Sequence, residues 1–231
     1  MTVQISGLRV EAEDGERRAV LLDEVTCTLS AHTTAVIGEN GSGKSTLARA
    51  VGGLNRPAAG TVHVSGLDTV RQARQLRRRV GFLFANPAAQ VIMPTVREDV
   101  ALTLRGRGLS RGEVAERVDR ALVEHELMDL ADRPCLSLSS GQQQRLALCA
   151  VLVGEPDLVI ADEPTSLLDA RHRRAVARRL LDADGPDVLL VTHDLELARR
   201  CEEAVLIDGG RLVRQGPPAD VIAAYEELLP A

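Results

Sequence analysis

Apolar and polar residues alternate in VQISGLRV at 3–10 and again in VLLDEVTCTLS at 20–30, with the charged run EAEDGERR between them. A period of two on either side of a charged connection predicts a β-hairpin with a solvated turn. TTAVIG at 33–38 reads as a buried strand, followed by a glycine-rich turn and a helix from about Ser45 to Gly53. GTVHVSG at 60–66 and VGFLFA at 80–85 read as further strands, the arginine-rich RQARQLRRR at 71–79 leading into the second. From Asn86 to Glu155 the texture is helical: Pro94 precedes a Thr95-x-x-Glu98 capping box, and Ser110-x-x-Glu113 forms another. The helix after Ser110 carries Val114, Val118, Leu122 and His125 on one face. DLVIAD at 157–162, DVLLVT at 187–192 and EAVLID at 203–208 are short apolar runs separated by helical stretches at 170–183 and 194–201. Such alternation predicts an α/β fold, a parallel sheet covered on both faces. One domain over 1–231 is expected: 1–85 and 156–231 make a small antiparallel β lobe and the sheet core, and 86–155 an inserted helical lobe.

Length and charge agree with this. The 231 residues suffice for a large single core, and the formal net charge of −5 argues against a chain held on nucleic acid by its overall field. No apolar run reaches membrane-spanning length, and the N-terminus lacks the basic-then-apolar order of a signal peptide, so a cytoplasmic protein is expected. Cys27, Cys135, Cys149 and Cys201 are too scattered for a metal-ligand pair and read as small core residues. Aromatics amount to one Tyr and two Phe, too few for a stacking groove on single-stranded nucleic acid. Of 28 basic residues, 27 are arginine, and Lys44 is the one lysine.

That lysine lies in Gly38-Glu39-Asn40-Gly41-Ser42-Gly43-Lys44-Ser45-Thr46, which matches GxxxxGK[ST] between a predicted strand and a predicted helix. The glycines let successive N–H groups turn inward around phosphate oxygens, and the helix adds its positive end. Lys44 is placed to reach the β and γ phosphates of ATP, and Ser45 to hold Mg²⁺. A compact ammonium fits between phosphates where a planar guanidinium would not. Leu158 to Asp162 form an apolar strand ending in Asp162-Glu163, at the edge where open α/β sheets collect ligands. Asp162 then orients the Mg²⁺ shell and Glu163 polarises the attacking water as general base.

Leu138-Ser139-Ser140-Gly141-Gln142 resembles the LSGGQ signature of ATP-binding-cassette ATPases, with Ser140 in place of the first glycine. Ser166-Leu167-Leu168-Asp169 resembles that family's D-loop, and His193, just after DVLLVT, its switch histidine. The resemblance covers nearly the whole chain. It implies a RecA-like core, ATP and Mg²⁺ as cofactors, and His193 helping Glu163 to hold the water at the γ-phosphate. It also implies a second cassette chain, identical or paralogous: Ser139 to Gln142, with Asp169, would serve the nucleotide of the partner, each ATP lying between one P-loop and the other chain's signature.

The run FLFANPAAQVIMPTVREDVAL is similar to energy-coupling-factor ATPases, importers of vitamins and metal ions, with the biotin subunit favoured over cobalt or nickel ones. The resemblance implies a transmembrane coupling subunit, a substrate-binding membrane subunit, and a peripheral position on the inner membrane face. Its coupling-helix dock would lie near Val91, Ile92 and Met93, whose alternative reading is a loop tucked against the core. A soluble cassette driving assembly of a partner complex is the alternative function. Two departures stand out. The family's adenine-stacking aromatic aligns with Ala12 or Val10, leaving aliphatic side chains or Arg17 and Arg18 to meet the base. Its Mg²⁺-contacting glutamine aligns with Ala85, leaving Gln90 to replace it. The arginine clusters at 71–79 and 171–179 read as solvated faces, without nucleic acid.

Overall fold

The structure, a computed structural model, describes residues 1–14, 17–166, 168–181 and 185–229, and omits the side chains of residues 13, 14, 17, 18, 170 and 171. Strands β1 (Val3–Asp14) and β2 (Arg17–Leu29) pair antiparallel, and β4 (Ala59–Val64) and β5 (Leu67–Asp68) complete a sheet of order β2-β1-β4-β5. Both hairpin strands run further into the charged segment than its polarity suggests, because backbone pairing such as Ala12 opposite Ala19 does not depend on side-chain polarity.

The second sheet holds β3 (Thr33–Ile37), β6 (Val80–Leu83), β7 (Leu158–Asp162), β8 (Asp187–Val191), β9 (Glu203–Asp208) and β10 (Arg211–Gly216) in the order β10-β9-β3-β8-β7-β6. All neighbours are parallel except β9 and β10. Its inner strands are apolar on both faces. Val36, Ile160, Leu189 and Val205 face one core, shared with the small sheet and with α1 (Lys44–Val51). Ala35, Val159, Leu190 and Leu206 face the other core, covered by α6 (Ala170–Leu180), α7 (Leu195–Ala198) and α8 (Pro218–Leu228).

Between β6 and β7 lie α3 (Val96–Leu102), α4 (Arg111–Glu124) and α5 (Ser140–Leu152), while the short α2 (Ala73–Leu76) precedes β6. A third core forms there around Val96, Val100, Val118, Leu122 and Leu146. Both expected capping boxes are made, at Thr95/Glu98 and Ser110/Glu113. Helix α5 is apolar nearly all round: Leu146 and Cys149 face the helical core while Ala147, Leu148 and Val151 face the sheet. It is therefore the beam that fixes the position of its own N-terminus against the sheet. The four cysteines are buried and free, and burial pushes their thiols up to about 11 (Cys27, Cys135) or about 12 (Cys149, Cys201). Among the described residues no helix is long and apolar enough to cross a membrane.

Candidate nucleotide site

The loop between β3 and α1 is bent by glycines at positive φ: 143° at Gly38, 82° at Gly41 and 109° at Gly43. A Cβ at Gly38 would lie 2.0 Å from the Ile207 carbonyl oxygen, so that glycine is required by a neighbouring strand. At Gly41 nothing lies within 4 Å of a Cβ position, and Glu39, Asn40 and Gly41 are exposed. Gly43 caps α1 without any side-chain hydrogen bond, which leaves the helix's first N–H groups free for an anion. Lys44, only 6% exposed, curls back so that Nζ donates to the carbonyls of Gly38 (2.8 Å) and Glu39 (2.6 Å). Burial lowers its proton affinity, and the fields of Glu163, Asp162 and Glu39 oppose that shift. The buried Ser42 hydroxyl has no hydrogen-bond partner among the described residues. Thr46 follows Ser45 on α1, half-buried. A ring of uncapped N–H groups, an orphaned hydroxyl and an ammonium resting on carbonyls is a cradle that phosphate oxygens complete.

Ser45 Oγ donates to Asp162 Oδ1 at 2.8 Å, bringing P-loop and strand end together. This pair of hard oxygen donors suits Mg²⁺, whose remaining ligands come from phosphates and water. Glu163 follows with φ of 50°, a strained backbone for a residue with a Cβ, held by its N–H on the Val191 carbonyl at 2.9 Å. Its Oε2 lies 2.8 Å from His193 Nδ1, out of hydrogen-bond alignment, and has no other partner among the described residues. A carboxylate with unfilled lone pairs, mostly buried and next to an exposed imidazole, is equipped to accept a proton from water.

The signature residues lie in a different group. Ser139 caps α5 by accepting from Gln142 N (3.3 Å), and Gln142 Oε1 accepts from Ser139 N (2.9 Å). Ser139 and Ser140 are exposed, while Gly141 is buried under His172: a Cβ there would stand 3.0 Å from His172 Cδ2. His172 is held in turn by Asp169, the cap of α6, which accepts from its N–H (2.9 Å) and meets its Nδ1 (2.9 Å). Among the described residues no hydrogen bond or ion pair joins 139–142 to 38–46. Leu167 lies outside the described residues. Sequence reasoning did not single out His172, and its spacing of three from the Asp169 cap was the available signal.

Two expectations are corrected. Val10 is 3% exposed and packed in the first core, so it cannot lie against a base; Ala12 is half-buried, and the Arg17 and Arg18 side chains lie outside the described residues. Gln90 is not brought to the metal donors: its Oε1 accepts from Phe84 N at 3.2 Å, and it lines a separate cavity of about 320 Å³ with Arg77, Ile92 and Asp99. Beside that cavity Ile92 is 73% exposed, while Asp99 accepts the N–H groups of Ile92 and Met93 at 2.9 Å each.

Fold and site thus define a P-loop nucleotide hydrolase whose signature-like helix start forms a separate group of residues. Residues 22–166 match the family model described as ABC transporter, and the chain belongs to that family. The chain is 40% identical over 209 residues to the biotin transport ATP-binding protein BioM of Rhizobium etli, covering 90% of this chain and 92% of the relative. To the energy-coupling factor transporter ATP-binding protein EcfA1 of Bacillus subtilis it is 38% identical over 222 residues, covering 94% and 78%. Among solved structures, the dimeric post-hydrolysis state of the ATP-binding cassette MJ0796, bound to ADP and Pi, superposes with a TM-score of 0.82 at 28% identity, covering 94% and 98%. The chain is an ATP hydrolase that works with ATP and Mg²⁺.

Proposed function

We propose that this chain is the ATP-hydrolysing subunit of an energy-coupling-factor importer, peripheral on the inner membrane face and bound to a transmembrane coupling subunit and a substrate-binding membrane subunit. The observation that carries the mechanism is the convergence of Lys44, Ser45, Asp162, Glu163 and His193, with the Ser139 to Gln142 signature held elsewhere by α5. Lys44 releases its two carbonyls and turns to the β and γ phosphates. Asp162 and Ser45 would hold Mg²⁺, which would supply charge neutralisation at the phosphates when bound. Glu163 takes a proton from the attacking water, and His193 orients that water from the exposed side. The exposed ends of Ser139 and Ser140 serve the γ-phosphate of a second cassette, identical or paralogous, in a head-to-tail dimer like that of the MJ0796 cassette.

The importer reading is supported by the names of the EcfA1 and BioM relatives and by the exposed Ile92 at the mouth of a cavity between sheet and helical region. Among solutes, a vitamin is favoured, biotin first, with cobalt or nickel next. Glu163→Gln should lower ATP turnover by about 10²-fold or more and accumulate an ATP-bound dimer on size-exclusion chromatography; wild-type turnover with no dimer would refute the mechanism. Tagged chain expressed with its chromosomal neighbours should copurify with membrane proteins, and the substrate-binding one names the solute. Copurification with soluble proteins alone would end the importer reading in favour of a soluble assembly ATPase.

A further inference from the structure

A cavity of about 340 Å³ opens between the end of α4, helix α5 and α6, lined by none of the P-loop residues, nor by Asp162, Glu163 or His193. Three guanidiniums line it. Arg145 meets Glu126 at 2.9 Å, yet among the described residues its buried Nε has no acceptor. Arg179 donates to the backbone carbonyl of Glu124, and among the described residues neither it nor the exposed Arg178 pairs with a carboxylate. Glu124 and Glu126 are the two acidic residues of the lining, one fewer than the arginines. Deeper in, His125 is only 6% exposed and its ring makes no hydrogen bond among the described residues. Burial, reinforced by Arg179 and Arg145, brings its proton affinity down to about 4, so at neutral pH it presents one donor and one acceptor and no charge. Leu148 and Val176 supply an apolar wall.

A buried guanidinium Nε without an acceptor is costly unless a ligand completes it, and the lining carries one more arginine than carboxylates. Arginine forks match the oxygens of phosphate and carboxylate. We propose that this cavity is a regulatory site for a small organic anion, its oxyanion head held by Arg178, Arg179 and Arg145 and its compact apolar body laid against Leu148 and Val176. The site sits where it can act on turnover. Gly141 and His172, which touch each other, belong to its walls, and Asp169 fixes the His172 ring. An occupant therefore bears at once on the start of the signature helix and on the cap of α6.

Phenyl phosphate is a suitable probe, and the Lys44→Ala chain removes the P-loop's grip on phosphate. Calorimetric titration of that chain should show binding at least tenfold tighter than for inorganic phosphate. Arg178→Ala with Arg179→Ala in the same background should weaken it at least tenfold without lowering the melting temperature. Should the double variant melt early, Arg178→Gln, at an exposed position, makes the same test. With Lys44 intact, phenyl phosphate should alter turnover at saturating ATP, and the double arginine variant should keep its basal turnover but lose the response. Absence of binding heat, equal affinity for the two phosphates, or affinity indifferent to the arginines would overturn the site.

Discussion

Gly38 and Gly41 share a positive φ but differ in surroundings, and the difference sets what each tolerates. A Cβ at Gly38 collides with the Ile207 carbonyl at 2.0 Å, whereas Gly41 opens onto space. Gly38→Ala should therefore cost about 3 kcal/mol or more, or prevent folding, and Gly41→Ala only about 1–2 kcal/mol from backbone strain. Thermal melts compare them; similar losses would contradict the role given to β9. His125 makes a second prediction through pH. Its imidazole titrates at 6.5 in the unfolded chain and at about 4 when buried in the fold. Between those values the unfolded state takes up a proton that the native state refuses, so stability falls as pH drops from about 6.5 to about 4 and levels off below. At ~1.4 kcal/mol per unit, the loss reaches about 3 kcal/mol. Urea titrations at pH 7 and 4.5 should show a smaller drop for His125→Gln than for the parent chain; equal drops would mean the native imidazole titrates freely.

Helices α4 and α5 begin with the same device, a serine cap answered three residues on by Glu113 or Gln142, yet only α5 aims its N-terminus at a proposed partner nucleotide. Removing either cap should cost about 1 kcal/mol. Ser139→Ala should also lower ATP turnover, while Ser110→Ala should leave it unchanged at equal loss of stability. A parallel loss of turnover in both would reduce the signature serine to a cap. These helix starts, like the strands of the parallel sheet, were legible in the sequence because they depend on local rules: cap spacing, apolar runs, glycine stops. The end of the chain was not. In β10 the apolar Leu212 and Val213 are flanked by Arg211 and Arg214, so pairing with β9 on its exposed edge leaves no alternation to read. Helix α8 did carry a signal, with Pro218 at its first turn and Asp220 after it. The candidate nucleotide residues were picked out by the same kind of local rule, motif spacing at the end of a strand. Gln90 was misplaced because its orientation follows from a hydrogen bond to Phe84, a contact that spacing does not reveal.

The scarcity of aromatics becomes specific once the whole molecule is in view. Tyr225 packs beneath the sheet against the second core. Phe82 and Phe84 lie against each other with ring centroids 4.4 Å apart, and Phe82 abuts Gly52 at the C-terminal end of α1, opposite the end that faces the phosphates. Eight helical residues separate the two ends by about 12 Å. Phe82 is therefore held away from the phosphate end of α1, and positions 10 and 12 carry Val and Ala, with no ring to stack on a base. Stacking is worth ~1–3 kcal/mol per base, and without it the grip on nucleotide comes from phosphates and Mg²⁺, which ATP and GTP share. Residues near the hairpin tip, Ala12 and Ala19 among them, add little that distinguishes one purine from the other. The ratio of kcat/KM for ATP to that for GTP should accordingly stay within about tenfold, equivalent to ~1.4 kcal/mol. A preference beyond about a hundredfold would require polar groups that read the purine edge, and substituting Arg17 and Arg18 would then be the first search for them.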